Sequence, residues 1–150
     1  MKQLRASAST PMHPRHNVVI DTGVLISAFA FGGAPAKAVL KVFHEANIHV
    51  SRPLLKEYRA TPITLHKSGK INHEQYQALI AGIAAFVARA VLVVTRKHFH
   101  LCRDVKDDMV LDCCYAANAD ILITGDKDLL SLGDLPFKLH ILTVRDYLAD

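Results

Sequence analysis

Residues 17–28, NVVIDTGVLISA, join a β-branched run to a helical run through an acidic turn. Residues 17–21 have the short, continuous apolar pattern of a strand that is buried on both faces. Residues 24–31 are predicted to continue as a helix until Gly32 and Gly33 end it. A buried strand that passes directly into a helix is typical of β-α-β units, and such units build parallel sheets.

The same alternation of strand and helix continues to the end of the chain. Asn72 and Gln75 form a capping box that predicts the clearest helix, whereas residues 61–71 are expected to be irregular or a short helix. Right-handed crossovers between the strands then predict an α/β domain with a parallel sheet covered on both faces. The predicted strands are 17–21, 48–51, 91–95, 120–124 and 139–143. Two further helices are predicted to start at Pro35 and Pro53. The remaining helices are predicted at 72–90, 108–118 and 127–132 and at the C-terminus.

Composition indicates a globular protein, with 51% apolar and 21% charged residues. No apolar run approaches the ~20 residues that span a bilayer, so no membrane segment is expected. We expect a flexible tail at 1–16 and one domain at 17–150. Without Lys2, Arg5 and Arg15, the remaining 15 basic and 14 acidic residues leave a net charge of +1, so global charge does not indicate nucleic-acid binding. The three cysteines form no disulfide or zinc pattern, which favours a reducing cytoplasm.

Acidic residues follow two of the predicted strands. Asp21 comes directly after the first strand, and Thr124 and Asp126 follow the run ILI. Ligands of parallel α/β sheets gather at the carboxyl ends of strands, and ionised carboxylates are rarely buried without partners. Each Asp could instead be a helix N-cap, but two such positions in one chain favour a functional site.

Asp108 and Asp112 are spaced i, i+4 and therefore share a helix face, where two like charges repel one another. A divalent cation would compensate them, although Asp108 also suits a helix N-terminus. Glu57 is a weaker candidate, because an isolated Glu on an amphipathic helix is usually solvated. Carboxylates without His or Cys companions favour Mg²⁺ or Mn²⁺. The nine histidines show no metal-binding spacing, and His98 and His100 are at most phosphate neighbours.

Three segments together resemble the PIN domain, specifically the VapC-like ribonucleases of toxin–antitoxin systems. They are VVIDTGVLISA at 18–28, SRPLLKEY at 51–58, and RDVKDDMVLDCCYAANADILITGDKDLLSL at 103–132. The resemblance covers nearly everything except the tail. It implies a three-layer α/β/α sandwich with a central parallel sheet of about five strands, and Mg²⁺- or Mn²⁺-dependent cleavage of RNA. It also implies an antitoxin partner, and homodimers are common in the family.

On that pattern the catalytic acids are Asp21, Glu57, Asp108 and Asp126, of which Asp21, Asp108 and Asp126 would hold the metal. The supporting residues that it implies are Thr22, Asp112 and Thr124. Two positions depart from the pattern: Gly23 replaces an Asn that usually supports the first acid, and Met109 stands where a polar or basic residue is common. Basic side chains near the site are expected to contact the RNA phosphates. The best candidates are Arg103, Lys106 and Lys127.

Two other functions compete with a ribonuclease. Gly23 favours a catalytically silent PIN-like module that binds RNA or a protein. A phosphoryl-transfer hydrolase with Asp21 as its nucleophile is the other, similar to haloacid dehalogenases. Those enzymes need a second Asp two residues after the first, and this chain has Gly23 there.

Overall fold

The computed structural model describes residues 15–149. Five strands alternate with seven helices in this part of the chain. The strands are β1 (His16–Ile20), β2 (Ala46–Ser51), β3 (Val91–Val93), β4 (Ile121–Ile123) and β5 (His140–Leu142). The helices are α1 (Thr22–Phe31), α2 (Gly33–Glu45), α3 (Arg52–Lys67), α4 (His73–Ala88), α5 (Val105–Ala116), α6 (Lys127–Leu130) and α7 (Val144–Ala149).

The strands form one parallel sheet in the order β3-β2-β1-β4-β5. In the centre, Val18 of β1 pairs with Ile48 of β2 on one side and with Ile121 of β4 on the other. Helices flank this five-stranded sheet, which confirms the predicted fold class. Because β1 and β4 are neighbours, the acidic turns that follow them lie side by side at the same edge of the sheet.

The centre of the sheet is buried. Val18, Val19 and Ile20 of β1 are fully buried, and all three residues of β4 are buried as well. Strands with both faces covered by helices need apolar side chains on both faces, which explains the unbroken apolar runs in the sequence. The sheet therefore gives the turns after β1 and β4 a rigid base.

Helix α3 is longer than the sequence predicts. It runs to Lys67 and includes Pro62, where residues 61–71 were expected to be irregular or a short helix. Leu54, Tyr58 and Pro62 are buried at four-residue spacing along this helix. Packing of this continuous apolar face outweighs the ~3 kcal/mol that a proline costs inside a helix.

The boundaries at the N-terminus and at α5 also differ from the prediction. Strand β1 begins at His16, and the Arg15 guanidinium donates to the carbonyl oxygen of His44 at 3.0 Å, so these two residues do not belong to a tail. The rest of the predicted tail, 1–14, lies outside the described residues. Helix α5 begins at Val105, because the side chain of Asp104 caps it by accepting from the amide of Lys106 at 2.9 Å.

No single helix within residues 15–149 is long and apolar enough to cross a membrane. Helices α1 and α2 meet the length and composition criteria only as a pair, with a bend of 110° between them.

Candidate active site

A cleft of about 590 Å³ opens at the carboxyl ends of β1 and β4. Five acidic residues line it, together with small polar and apolar groups and one lysine. The acids are Asp21, Glu57, Asp104, Asp107 and Asp126. The cleft therefore brings together three of the four predicted catalytic acids, from segments that are far apart in the sequence.

Asp21 is fixed by two hydrogen bonds to its carboxylate. One oxygen accepts from the amide of Thr22 at 2.9 Å, as an N-cap of α1, and the other accepts from the Thr124 hydroxyl at 2.6 Å. Burial raises the pKa of Asp21, the two hydrogen bonds lower it, and the neighbouring Glu57 and Asp126 carboxylates raise it. An N-cap role and a place in the cleft are thus combined in one residue, because Asp21 also lines the cleft.

Thr124 links the two strand-end acids. Its side chain is fully buried, its hydroxyl donates to Asp21, and the same hydroxyl oxygen accepts from the amide of Asp126 at 3.0 Å. Asp126 in turn caps α6 by accepting from the amide of Asp128 at 2.8 Å. This chain of hydrogen bonds fixes Asp21 and Asp126 relative to one another without any bound ion.

Glu57 reaches the cleft because its neighbour anchors α3 to the end of β1. The fully buried Tyr58 donates its hydroxyl to the carbonyl oxygen of Ile20, the residue before Asp21. One carboxylate oxygen of Glu57 accepts from the Thr22 hydroxyl. The structure therefore places Glu57 beside the first acid, although its spacing in the sequence gave little indication of this.

Asp107, and not Asp108, lines the cleft. Most of α5 is buried, including both Asp107 and Asp108, so burial alone does not separate the two acids. Asp107 lies in the first turn of the helix, where its carboxyl is beside that of Asp126. Asp108 is also buried, but it lies one helical position further round.

Asp108 and Asp112 have partners other than a metal. One Asp108 oxygen accepts from the amides of Leu101 and Cys102 at 2.8 and 2.9 Å. Asp112 accepts from the amide of Phe99 at 2.7 Å and lies 3.2 Å from Nδ1 of His98. The negative charges of Asp108 and Asp112 are therefore stabilised by backbone amides of the loop 98–102, where the sequence had suggested a divalent cation.

Three carboxylates are close enough to share one ion. Asp107, Asp126 and Asp128 each offer an oxygen, and these oxygens all lie within 4.8 Å of one another. Burial, the contact with the Asp126 carboxyl and the nearby negative charges raise the pKa of Asp107 to about 7. A carboxylate held in this way gains from a cation, because the ion removes both the repulsion and the loss of hydration.

The predicted phosphate-binding residues have different positions. Lys106 lines the cleft, whereas Arg103 donates to Asp128 at 2.7 Å and is exposed. Lys127 is exposed and is not among the residues that line the cleft. His98 contacts Asp112, and His100 is exposed. Of the three predicted phosphate-binding residues, only Lys106 lines the cleft.

A family model described as the PIN domain matches residues 17–128, which is most of the chain. The chain belongs to the PIN domain family. PIN domains are typically nucleases, so at this level the chain is a member of a nuclease family. The matched region contains all of β1 except His16, all of β4 and every acid that lines the cleft.

One curated relative is an uncharacterized protein, MJ1680, from Methanocaldococcus jannaschii. It is 34% identical over 119 residues, which cover 78% of this PIN domain protein and 75% of the relative. Among solved structures, a chain of VapBC2 from Rickettsia felis, bound to a DNA fragment from their promoter, matches with a TM-score of 0.58. That match covers 84% of this chain and 98% of the other at 13% identity, and so it shows the fold alone.

The PIN domain cleft contains residues that the sequence did not single out. Asp104, Asp107, Ser27 and Thr61 line it, and Asp128 joins the group of three carboxylates. The sequence signal for Asp107 is the apolar spacing of Val110, Leu111 and Cys114, which follow it by three, four and seven residues. Asp128 could have been found from its position two residues after Asp126, on the short helix that Asp126 caps.

Gly23 also borders the cleft. A Cβ added there would meet no atom within 4 Å, and its φ angle lies outside the left-handed region. A side chain at this position would therefore extend into the cleft without a clash. Without such a side chain, the Asp21 carboxylate has hydrogen bonds from Thr22 and Thr124 within residues 15–149.

Proposed function

We propose that this PIN domain protein is a metal-dependent endoribonuclease that hydrolyses RNA phosphodiester bonds in the cytoplasm. The observation that carries the proposal is the cleft at the end of β1 and β4, which Asp21, Glu57, Asp107 and Asp126 line together. Membership in a nuclease family supports a phosphodiester substrate.

The donor set fits Mg²⁺ or Mn²⁺. Asp107, Asp126 and Asp128 offer hard carboxylate oxygens within 4.8 Å of one another, and no His or Cys among residues 15–149 lines the cleft. The raised pKa of Asp107 indicates that the described residues around it do not neutralise its charge. A divalent cation there would supply the Lewis acid that activates water and neutralises charge on the scissile phosphate.

The side chains would contribute positioning and proton transfer. The hydrogen bonds of Thr124 hold the Asp21 carboxylate in place before any ligand binds, so no reorganisation is needed during the reaction. Glu57 uses one oxygen to accept from Thr22, and its other oxygen would orient the attacking water. The Lys106 ammonium would bind a non-bridging oxygen of the phosphate.

Asp107 is proposed as the third acid in place of Asp108. Asp107 contacts Asp126 across the cleft, whereas Asp108 is occupied by the amides of Leu101 and Cys102. Asp108 and Asp112 would then be structural residues that hold the loop 98–102 against α5.

Incubation of the purified protein with single-stranded RNA and Mn²⁺ tests the nuclease proposal. Wild type is expected to cleave, and Asp21→Asn is expected to lose cleavage while remaining folded. Asp134→Asn is the matched control, because Asp134 is an exposed acid outside the cleft. Equal cleavage by wild type and Asp21→Asn would refute the proposal.

We further propose that the protein is the toxin of a toxin–antitoxin pair. The structural likeness to a chain of VapBC2 supports this role. The antitoxin would lay a segment over the acidic cleft and so exclude RNA from it. Expression of wild type alone is then expected to arrest growth, and expression of Asp21→Asn is not. Growth arrest by both variants, or the lack of a small partner gene beside the coding sequence, would count against this role.

A catalytically weak or silent module that binds RNA or a protein is the second candidate. Gly23 favours it, because the side chain missing at that position would otherwise enter the cleft. RNA binding without cleavage at any Mn²⁺ concentration would support this candidate over the ribonuclease.

A further inference from the structure

A second concave site lies at the opposite end of α5 from the acidic cleft. It has a volume of about 720 Å³ and combines cationic, aromatic and amide side chains. None of its lining residues within 15–149 is acidic. Its polar and aromatic residues, called the basic groove below, are Arg96, Lys97, Tyr115, Asn118, Phe137 and Lys138.

The three cations of the basic groove have no carboxylate partners. Arg96, Lys97 and Lys138 are all exposed, and none of them makes an ion pair with another residue in the described part of the chain. The Lys97 ammonium lies 5.7 Å from the centre of the Phe99 ring. Like charges that share one concave surface raise the local potential and attract anions. The groove therefore favours an anionic ligand with several charges.

The two rings of the basic groove, Tyr115 and Phe137, pack with the neighbouring Phe99 in one aromatic cluster. Tyr115 packs edge-to-face against Phe99 and Phe137, with ring centres 5.4 and 5.3 Å apart. Phe99 is buried and anchors the cluster, yet 48% of Tyr115 stays exposed. An exposed ring that its neighbours hold in place can stack on a planar ligand at little cost in entropy.

We propose that the basic groove binds single-stranded RNA. Phosphates would contact Arg96, Lys97 and Lys138, and an unpaired base would stack on Tyr115. Cations beside an exposed ring are the combination that single-strand-binding proteins use, because phosphates and bases alternate along the strand. A duplex would present no free base face to the ring, and an acidic peptide would not use the ring at all.

The site extends the proposed ribonuclease by a contact remote from the reaction. Tyr115 lies eight residues after Asp107 on α5, which corresponds to a rise of about 12 Å. A strand that occupies the groove could continue to the cleft along this helix. The groove would therefore hold RNA outside the cleaved bond and lower KM, with little effect on kcat.

Binding of a labelled RNA of about 16 nucleotides, the upper end of single-strand site sizes, tests the groove in EDTA, where cleavage plays no part. The variant R96Q/K97Q/K138Q is compared with R59Q/K67Q/K70Q, which removes the same charges from exposed positions on and after α3. A plot of log association constant against log salt concentration has a negative slope, of about −0.7 for each phosphate contact with a single strand. Loss of three contacts is therefore expected to make the slope less negative by about 2 in the groove variant, and the control is expected to keep the wild-type slope.

Stacking is tested at Tyr115 with a matched pair. Tyr115→Ala is expected to weaken RNA binding about five-fold or more, whereas Tyr115→Phe keeps the ring and binds like wild type. Polyglutamate serves as the polyanion without bases. It is expected to bind more weakly than RNA and to be unaffected by Tyr115→Ala. If polyglutamate binds as tightly as RNA, or if Tyr115→Ala binds RNA like wild type, the groove is not an RNA site.

Failure of the groove and failure of the ribonuclease give different results. Equal RNA binding by the groove variant and its control, or no binding by wild type at low salt, would overturn the groove proposal and leave cleavage to be judged by the Asp21→Asn comparison. Groove-dependent binding without Mn²⁺-dependent cleavage would support the groove and contradict the ribonuclease. Circular dichroism and thermal unfolding confirm that each variant is folded.

Discussion

Replacing Asp107 and Asp108 one at a time by asparagine separates two adjacent carboxylates with opposite effects on stability. In wild type without metal, the pKa of Asp107 is raised from 3.8 to about 7. The folded state therefore binds more protons than the unfolded state between about pH 4 and pH 7, and stability falls as the pH rises through that window. Each pKa unit corresponds to about 1.4 kcal/mol for a fully shielded group. Because Asp107 interacts with the Asp126 carboxyl at the edge of an open cleft, solvent screening is expected to reduce the loss to on the order of 1–2 kcal/mol.

Asp107→Asn removes this loss. The amide resembles the protonated carboxyl, so the variant matches wild type near pH 4 and exceeds its stability above pH 7 in EDTA. Asp108→Asn acts in the other direction, because its carboxylate accepts from the amides of Leu101 and Cys102. Exchange of two charge-assisted hydrogen bonds for neutral ones costs about 1 kcal/mol each, so this variant is expected to lose about 2 kcal/mol.

Urea unfolding between pH 4 and pH 8 in EDTA, followed by RNA cleavage with Mn²⁺, measures both effects. The rate of RNA cleavage is expected to fall at least about 100-fold in Asp107→Asn. Substitution of a residue that only orients a metal ligand typically costs about 10- to 100-fold, so a larger loss indicates direct contact with the ion. Asp108→Asn is expected to stay within a few-fold of wild type. Normal RNA cleavage by Asp107→Asn, or a stability of this variant below that of wild type at pH 8 in EDTA, would contradict the assignment of Asp107 as the third acid.

Three further substitutions have defined outcomes. Gly23→Asn is expected to fold normally and to lower the Mn²⁺ concentration for half-maximal cleavage, while Gly23→Ala, which adds no oxygen, does not. Thr124→Val removes the hydrogen bond that lowers the pKa of Asp21, so the acidic limb of the pH–rate profile moves to higher pH; Thr124→Ser keeps the wild-type profile. Gly82→Ala places a Cβ 2.4 Å from the Phe29 ring, and thermal unfolding is expected to show a loss of about 1–3 kcal/mol without a change in the Mn²⁺ dependence of cleavage.

The positions of the strands could be predicted from the sequence, because each strand is an apolar run between polar turns. Residues 17–21 and 120–124 were predicted within two residues of β1 and β4. The strand order could not be derived in this way, since it depends on where each crossover helix packs. The length of α3 was also missed, because a local rule for Pro62 was outweighed by tertiary packing.

In the candidate site, too, some features could be predicted from the sequence and others depend on tertiary packing. Asp21 and Asp126 follow buried strands, so the topology of a parallel sheet is enough to bring them together. Which of Asp107 and Asp108 lines the cleft depends on the rotation of α5 about its axis, and the i, i+4 spacing of Asp108 and Asp112 does not determine that rotation. The backbone amides that satisfy this pair come from an irregular loop, whose path carries no periodic signal in the sequence.

The N-cap roles of Asp21 and Asp126 affect which of the acids would be retained in related sequences that have lost nuclease activity. Each carboxylate caps a helix, and loss of such a cap costs about 1 kcal/mol whether or not the site is active. Within residues 15–149 no backbone amide donates to the Asp107 carboxyl, and burial and the nearby carboxylates disfavour its charged form when no ion is bound. Once selection for nuclease activity ends, drift is therefore expected to remove Asp107 first and to retain Asp21 and Asp126. In a related sequence without other information, an acid at position 107 is therefore a better indicator of nuclease activity than the acids at positions 21 and 126.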